Sequence, residues 1–235
     1  MPSERQVNLR GLAAHLRAVA VARWIGWLVQ HHSWSPTAKQ CHGISTVRGI
    51  RRYHMNVRGW SDNGYHIIVT PQGEIFICRP LHRSGGHCIA RNPDSVGVCF
   101  LGNFDTGHDA PPEKWPGYPL LVSTVALICA RFRIPIERVM PHSYYDPKTC
   151  PGTGFSMGEF RRAVRAAMAN EIAPGGKPVK IVILPDNELV DCNGRVEGGT
   201  TRADLRPLLE ALGHQVHDHL ADQKKIYVQR EVTTT

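Results

Sequence analysis

No apolar run in the 235-residue chain approaches the roughly 20 residues a membrane-spanning helix needs. Near the N-terminus, Arg10, Arg17 and Arg23 interrupt every stretch that could form the apolar centre of an export signal. The expectation is a chain made in the cytoplasm without a signal peptide and never inserted into a bilayer. There are seven cysteines and no C-x-x-C pair, and this odd set fits a reducing compartment better than a disulfide framework. Basic residues are scattered rather than gathered in a run. Zinc-finger spacing, a basic heptad region and an RNA-binding aromatic signature are all missing, which argues against nucleic acid as a partner. The chain also lacks internal repeats and low-complexity segments beyond its terminal threonines.

What is present suffices for one sizeable core and a small appended unit, since 42% of the residues are hydrophobic and 20% charged. The formal net charge of +8 implies attraction to polyanions. Anionic lipid and the anionic polymers of a bacterial wall both qualify, and charge does not choose between them.

Apolar spacing predicts a helix over 6–22, with Leu9, Leu12, Leu16 and Val19 on one face. A strand is expected over 24–32, then a helix over 46–58 with Ile50, Tyr53 and Val57 in register and Gly59 at its end. The runs YHIIVT and EIFICR flank Pro71-Gln72-Gly73 as a hairpin, and SVGVCFLGNF (95–104) reads as a strand covered on both faces. Cys99 and Cys129 fall in apolar runs and read as core residues. After a proline-rich loop at 110–119, Leu121, Val125, Ile128 and Phe132 mark a helix. Ser156 and Glu159 cap another that runs to about 169. This alternation predicts an α/β domain over 1–170, with a central mixed sheet flanked by helices. A Pro/Gly-rich linker at 171–179 leads to a small α+β unit over 180–230. Its strands are expected at KIVIL, NELVDC, HQVHDH and KKIYVQ, with a helix carrying Leu205, Leu208, Leu209 and Leu212.

The stretch PHSYYDPKTCPG (141–152) is too rich in turn formers for a helix or a central strand, yet it carries His142, Lys148 and Cys150. Imidazole and thiolate are good zinc ligands, and a catalytic zinc site uses three protein ligands, which keeps the fourth position for water. The third ligand must come from elsewhere, and His31 or His32 at a strand end is the candidate. Because strand side chains alternate, only one of the two can face the metal; we take His31. A closed structural site would need a fourth ligand, and no second cysteine or histidine lies at short spacing from Cys150.

Four blocks in order, LVQHHS, RGWSDNGYHIIV, GGHCIARNPDSVGVCFLGNF and PHSYYDPKTCPG, resemble the zinc-dependent N-acetylmuramoyl-L-alanine amidases of phage lysozyme type and the related peptidoglycan recognition proteins, over about 24–170. The resemblance implies Zn2+ held by His31, His142 and Cys150, with Tyr65 and Lys148 as catalytic residues. It implies substrate contacts from Trp60, Arg79, His87 and Asn92, with Gly59-Trp60 and Arg79 favouring peptidoglycan of the meso-diaminopimelate type. His54 reads as structural, and Cys41 and Cys78 have no assigned role. Cytosolic recycling relatives carry aspartate as third ligand, so Cys150 favours a wall-lytic enzyme, a phage endolysin that reaches the wall after holin-type release. A muropeptide-binding protein without activity is the alternative, and a structural-zinc protein a third reading. Residues 180–229 loosely resemble the small N-terminal-like domain of copper amine oxidases, which implies wall binding or self-association and gives no reason to expect copper.

Overall fold

The computed structural model describes residues 4–172 and, beyond them, the backbone of four short strands at 180–181, 189–190, 196–197 and 228–229. The chain divides into two compact units, 1–172 and 173–235.

In the first unit, strands β1 (Arg5–Val7), β2 (Trp27–His32), β3 (Ile67–Val69), β4 (Ile75–Ile77), β5 (Ser95–Phe100) and β6 (Val139–Pro141) form one sheet in the order β1-β4-β3-β5-β2-β6. β3, β5, β2 and β6 run parallel, whereas β4 pairs antiparallel with β1 and β3. Four helices pack around this sheet: α1 (Leu9–Ala18), α2 (Ile44–Asn56), α3 (Tyr118–Phe132) and α4 (Met157–Ile172). The mixed sheet flanked by helices is the architecture that the alternating pattern predicts.

Its two faces have separate cores. Leu28, Val96, Val98 and Phe100 point to one side, where they meet Leu12 and Leu16 of α1, Leu121 and Val125 of α3, and Phe160 and Val164 of α4. Ile68, Phe76 and Cys99 point to the other, beneath Val47 and Ile50 of α2. Cys99 and Cys129 are both fully buried.

Several boundaries differ from the sequence reading. The helix expected over 6–22 is a strand followed by a helix. Asn8 has an extended backbone and its side chain accepts a hydrogen bond from Gly11 N–H at 2.7 Å, so it caps α1 and leaves Arg5–Val7 to pair with β4. The strand expected from residue 24 begins at Trp27, and the one expected to reach 104 ends at Phe100. Beyond it Gly102 sits at φ +151, where an added Cβ would come 2.5 Å from the Phe104 ring. Helix α4 continues to Ile172. Edge strand β6 is missing from the sequence reading because three residues ending in proline carry no periodic signal.

In the second unit Lys180–Ile181 pairs antiparallel with Val228–Gln229, and Leu189–Val190 with Val196–Glu197. The expected helix at Leu205–Leu212 and the strand HQVHDH lie outside the described residues.

Candidate metal centre and cleft

The parallel strands deliver their C-terminal ends to one rim of the sheet, the usual place for ligand chemistry in α/β folds. His31 is the fifth residue of β2 and lies opposite Cys99 of β5, so its ring emerges on the α2 side. His32 lies opposite Phe100 and turns to the other side, where its Nδ1 accepts the Phe104 N–H at 3.2 Å. Gln30 of β2 pairs with Pro141 of β6, which places His142, the first residue after β6, beside His31 with ring centroids 4.5 Å apart.

Cys150 reaches the same point from the far end of its loop. Ser143 N–H donates to Cys150 O at 2.7 Å, and His32 N–H points at Cys150 Sγ at 3.4 Å. The loop is pinned from beneath by residue 104. Gly154 N–H donates to Phe104 O at 2.8 Å, and Gly152, at φ +120, lies so close that a Cβ would fall 2.4 Å from the Phe104 carbonyl carbon. The Asp105 carboxylate accepts from Thr153 N–H and from the Thr149 hydroxyl, each at 3.0 Å. Burial alone would raise the Asp105 pKa, but these hydrogen bonds outweigh it and the net shift is downward.

One ligand atom from each of His31, His142 and Cys150 lies within 4.8 Å of the others. Cys150 Sγ is 3.6 Å from His31 Nδ1. That separation matches the edge of about 3.5 Å expected between sulfur and nitrogen on a tetrahedral zinc. Burial pushes the Cys150 thiol up to about 12 and lowers the pKa of His142, the latter with help from Lys148. Without an ion, the donor set is therefore a thiol and neutral imidazoles. Sulfur with two nitrogens, all buried and convergent, suits zinc.

A cleft of about 900 Å³ opens over these three residues, and Tyr65, Lys148, Trp60, Arg79, His87 and Asn92 all contribute to its lining. Tyr65 is half-buried, its ring 5.2 Å from that of His31. Burial raises its pKa well above 10, as do the neighbouring Cys99 and Cys150, so the phenol stays protonated. Lys148 is largely exposed, and its Nζ donates to Asp146 Oδ2 at 2.7 Å. Trp60 stacks on His54, centroids 4.6 Å apart, and His54 Nδ1 accepts the Gly64 N–H at 3.1 Å. Arg79 is mostly buried, with Nη1 donating to Asn63 O at 3.1 Å and Nε to Ser84 O. Asn92 Oδ1 accepts from His87 N–H and Cys88 N–H at 2.8 and 2.9 Å. That carbonyl is thus spent on shaping the 85–92 loop.

A family model described as N-acetylmuramoyl-L-alanine amidase matches residues 21–153, the span that holds β2 to β6 and all three convergent ligands. The chain belongs to the N-acetylmuramoyl-L-alanine amidase family. Among relatives of this amidase-family chain, peptidoglycan-recognition protein SC2 of Drosophila melanogaster is 31% identical over 138 residues, 57% of this chain and 72% of that protein. The N-acetylmuramoyl-L-alanine amidase of Homo sapiens is 32% identical over 84 residues, 34% of this chain and 14% of that protein. Peptidoglycan-recognition protein SC1a/b of Drosophila simulans is 31% identical over 90 residues, and the match spans 48% of its length. Of the solved structures, the N-acetylmuramoyl-L-alanine amidase LysC from Clostridium intestinale shares the fold, with a TM-score of 0.50 at 23% identity, over 63% of this chain and 91% of that one.

Sequence reasoning misses some residues in and around the amidase-family cleft. Asp146 is absent from the residues expected from the sequence, although its carboxylate bridges Lys148 and His142, with Oδ2 3.6 Å from His142 Nε2; its place two residues before Lys148 is the available signal. Trp34, held at φ +58 and 64% exposed on the cleft wall, gave no periodic cue. Arg91 packs over Trp27 and Tyr145 at 4.3 and 5.3 Å, clamping the segment after β6 to the 85–94 loop. Only the folded chain brings these three together.

Proposed function

We propose that the protein is a zinc-dependent peptidoglycan hydrolase that cleaves the amide between the lactyl group of N-acetylmuramic acid and L-alanine of the stem peptide. The observation that carries this reading is the convergence of His31, His142 and Cys150 at the floor of a cleft whose wall includes Tyr65 and Lys148. Zinc bound there would supply Lewis acidity toward the scissile carbonyl and toward a water. The protein's own groups do the rest. Tyr65, protonated at neutral pH and lining the cleft beside His31, is the proton donor available to the attacking water. The Lys148 ammonium, restrained by Asp146, offsets negative charge that develops on the carbonyl oxygen. Trp60 forms an apolar wall, and the Arg79 guanidinium, fixed through Nε and Nη1, directs its remaining nitrogen to the carboxylate of a meso-diaminopimelate stem.

Within this proposal the enzyme is a phage-type endolysin acting from the host cytoplasm after holin-type release, with the second unit serving wall attachment or association. A cysteine third ligand supports the lytic role, and the excess of positive charge is compatible with anionic wall polymers without favouring that role over another. The names of the Drosophila relatives favour a second reading, a recognition protein that binds muropeptides without cutting them. Purified protein incubated with peptidoglycan and zinc should leave free lactyl carboxylates on the glycan and release stem peptides with new L-alanine amino termini. Chelation should stop the release and added zinc should restore it. Muropeptide binding with no new amino termini in the presence of zinc would overturn the hydrolase and leave the recognition protein.

A further inference from the structure

We infer that His87 is a positioning residue for His31, fixing which ring nitrogen of that ligand carries the proton; this inference rests on the zinc reading above. It assigns His87 a task other than the substrate contact that the family resemblance implies.

A chain of hydrogen bonds favours one arrangement of protons. His31 Nε2 is 3.0 Å from His87 Nδ1, His87 Nε2 is 3.4 Å from Ser95 Oγ, and the Ser95 hydroxyl donates to Arg91 O at 2.5 Å. A backbone carbonyl only accepts, so the hydroxyl proton belongs to the bond with Arg91 O. Ser95 Oγ is then free to accept, and the His87 Nε2–H is the donor it faces. With that proton on Nε2, a neutral His87 presents a lone pair at Nδ1. Two N–H groups cannot face each other at 3.0 Å, so His31 donates from Nε2. The lone pair of His31 is left on Nδ1, the atom 3.6 Å from Cys150 Sγ.

The backbone makes room for this ring. A Cβ on Gly97 would come 2.3 Å from His87 Cδ2, and one on Gly85 would come 2.4 Å from the same atom. Only a residue without a side chain fits at either place. The ring meets His31 nearly edge-on, with centroids 4.9 Å apart and planes at 80°. Its main chain is fixed by Asn92 Oδ1. His87 is 7% exposed, and both of its ring nitrogens face partners within the protein. A metal-binding histidine commonly has its other nitrogen held by an acceptor in this way, and loss of such a partner costs about 10–100-fold in metal affinity.

The test uses the full chain with 15N-labelled histidines. Long-range 1H–15N correlation spectra of the zinc-free protein should show His31 protonated at Nε2. In His87→Leu, which fills the slot but offers no acceptor, that preference should disappear and zinc affinity, read against a competing chelator, should fall about 10–100-fold. His87→Asn, whose carbonyl can take the place of Nδ1, should recover most of the affinity. Muropeptide affinity measured at saturating zinc should be unchanged in both. A wild-type His31 carrying its proton on Nδ1 overturns the inference, whether or not His87→Leu folds. So does a His87→Leu protein with normal zinc affinity and weakened muropeptide binding, which would make His87 a substrate contact. Failure of the wild type to take up zinc, with its Nε2–H intact and lost in His87→Leu, sinks the zinc reading alone and leaves the orienting role of His87 standing.

Discussion

Lys148 Nζ lies 2.7 Å from Asp146 Oδ2, and that oxygen is also 3.6 Å from His142 Nε2. One half-buried carboxylate therefore links the lysine on the cleft wall to a residue of the convergent metal set. A surface ion pair of this kind contributes little to stability, so its value lies in where it holds the ammonium. Lys148→Ala should lower kcat by about 10²–10³ with a smaller effect on KM, the scale seen when one group that stabilises an oxyanion is removed. Asp146→Asn should also lower kcat while leaving the urea midpoint unchanged. Steady-state kinetics on a soluble muropeptide together with urea titrations check both, and an Asp146→Asn enzyme with wild-type kcat would remove the restraint from the mechanism.

Zinc taken up as proposed would carry a proton signature from the thiol of Cys150. Burial holds its pKa near 12, while burial, together with Lys148 for His142 and the neighbouring His87 for His31, leaves both imidazoles neutral at pH 7. Metal binding then displaces one proton, from sulfur, and none from the histidines. Apparent zinc affinity should rise about tenfold per pH unit between pH 7 and 9. Cys150→Ser should lose most of both affinity and turnover. Competition with a chelator across this pH range gives the slope, and a flat profile would mean the thiolate is already formed.

Gly152 is a point of mechanical weakness. Its φ of +120 is unfavourable for any other residue, and a Cβ would meet the Phe104 backbone at 2.4 Å. Gly152→Ala should cost about 1–3 kcal/mol and should weaken zinc binding by moving Cys150, two residues away. Thermal melts with and without zinc would show a lower Tm and a smaller zinc-induced rise than in the wild type.

Buried histidines make the fold sensitive to acid. His54 is held at about 4 and His66 at about 3, in each case chiefly by burial, with His66 also close to the guanidinium of Arg23. The unfolded chain takes up these protons near pH 6.5, well above the pH at which the folded chain does. The stability that the two neutral rings permit is complete above pH 6.5 and is lost as pH falls toward 3–4. Each contributes a slope of about 1.4 kcal/mol per pH unit in that window. Urea unfolding from pH 7 to 4 should show the decline, and replacing His54 with Gln should make it shallower.

The sequence carried most of this site because its chemistry is local. Cys150 and His142 share one turn-rich stretch, His31 lies next to the end of a strand that opens with Trp27, Leu28 and Val29, and strand alternation separates His31 from His32. Positions defined by three-dimensional closure were harder to read. Asn8 looks like one more residue of an amphipathic run until its side chain is seen capping Gly11. Strand β6 is three residues long, and its pairing with β2 is tertiary information. His87 reads as a cleft residue from its block, but its partners His31 and Ser95 are 56 and 8 positions away and declare themselves only in space.

The paired histidines of β2 look like duplicated equipment, but the second has no capacity to replace the first. His32 shares its side of the strand with Leu28, which is fully buried among α1, α3 and α4. To offer His32 to the ion, β2 would have to slide one place along β5, expelling Leu28 from the interior and pressing a polar ring into it. Losing His31 should therefore be as damaging as if no neighbour existed: along a pleated strand, adjacency of like groups confers no redundancy.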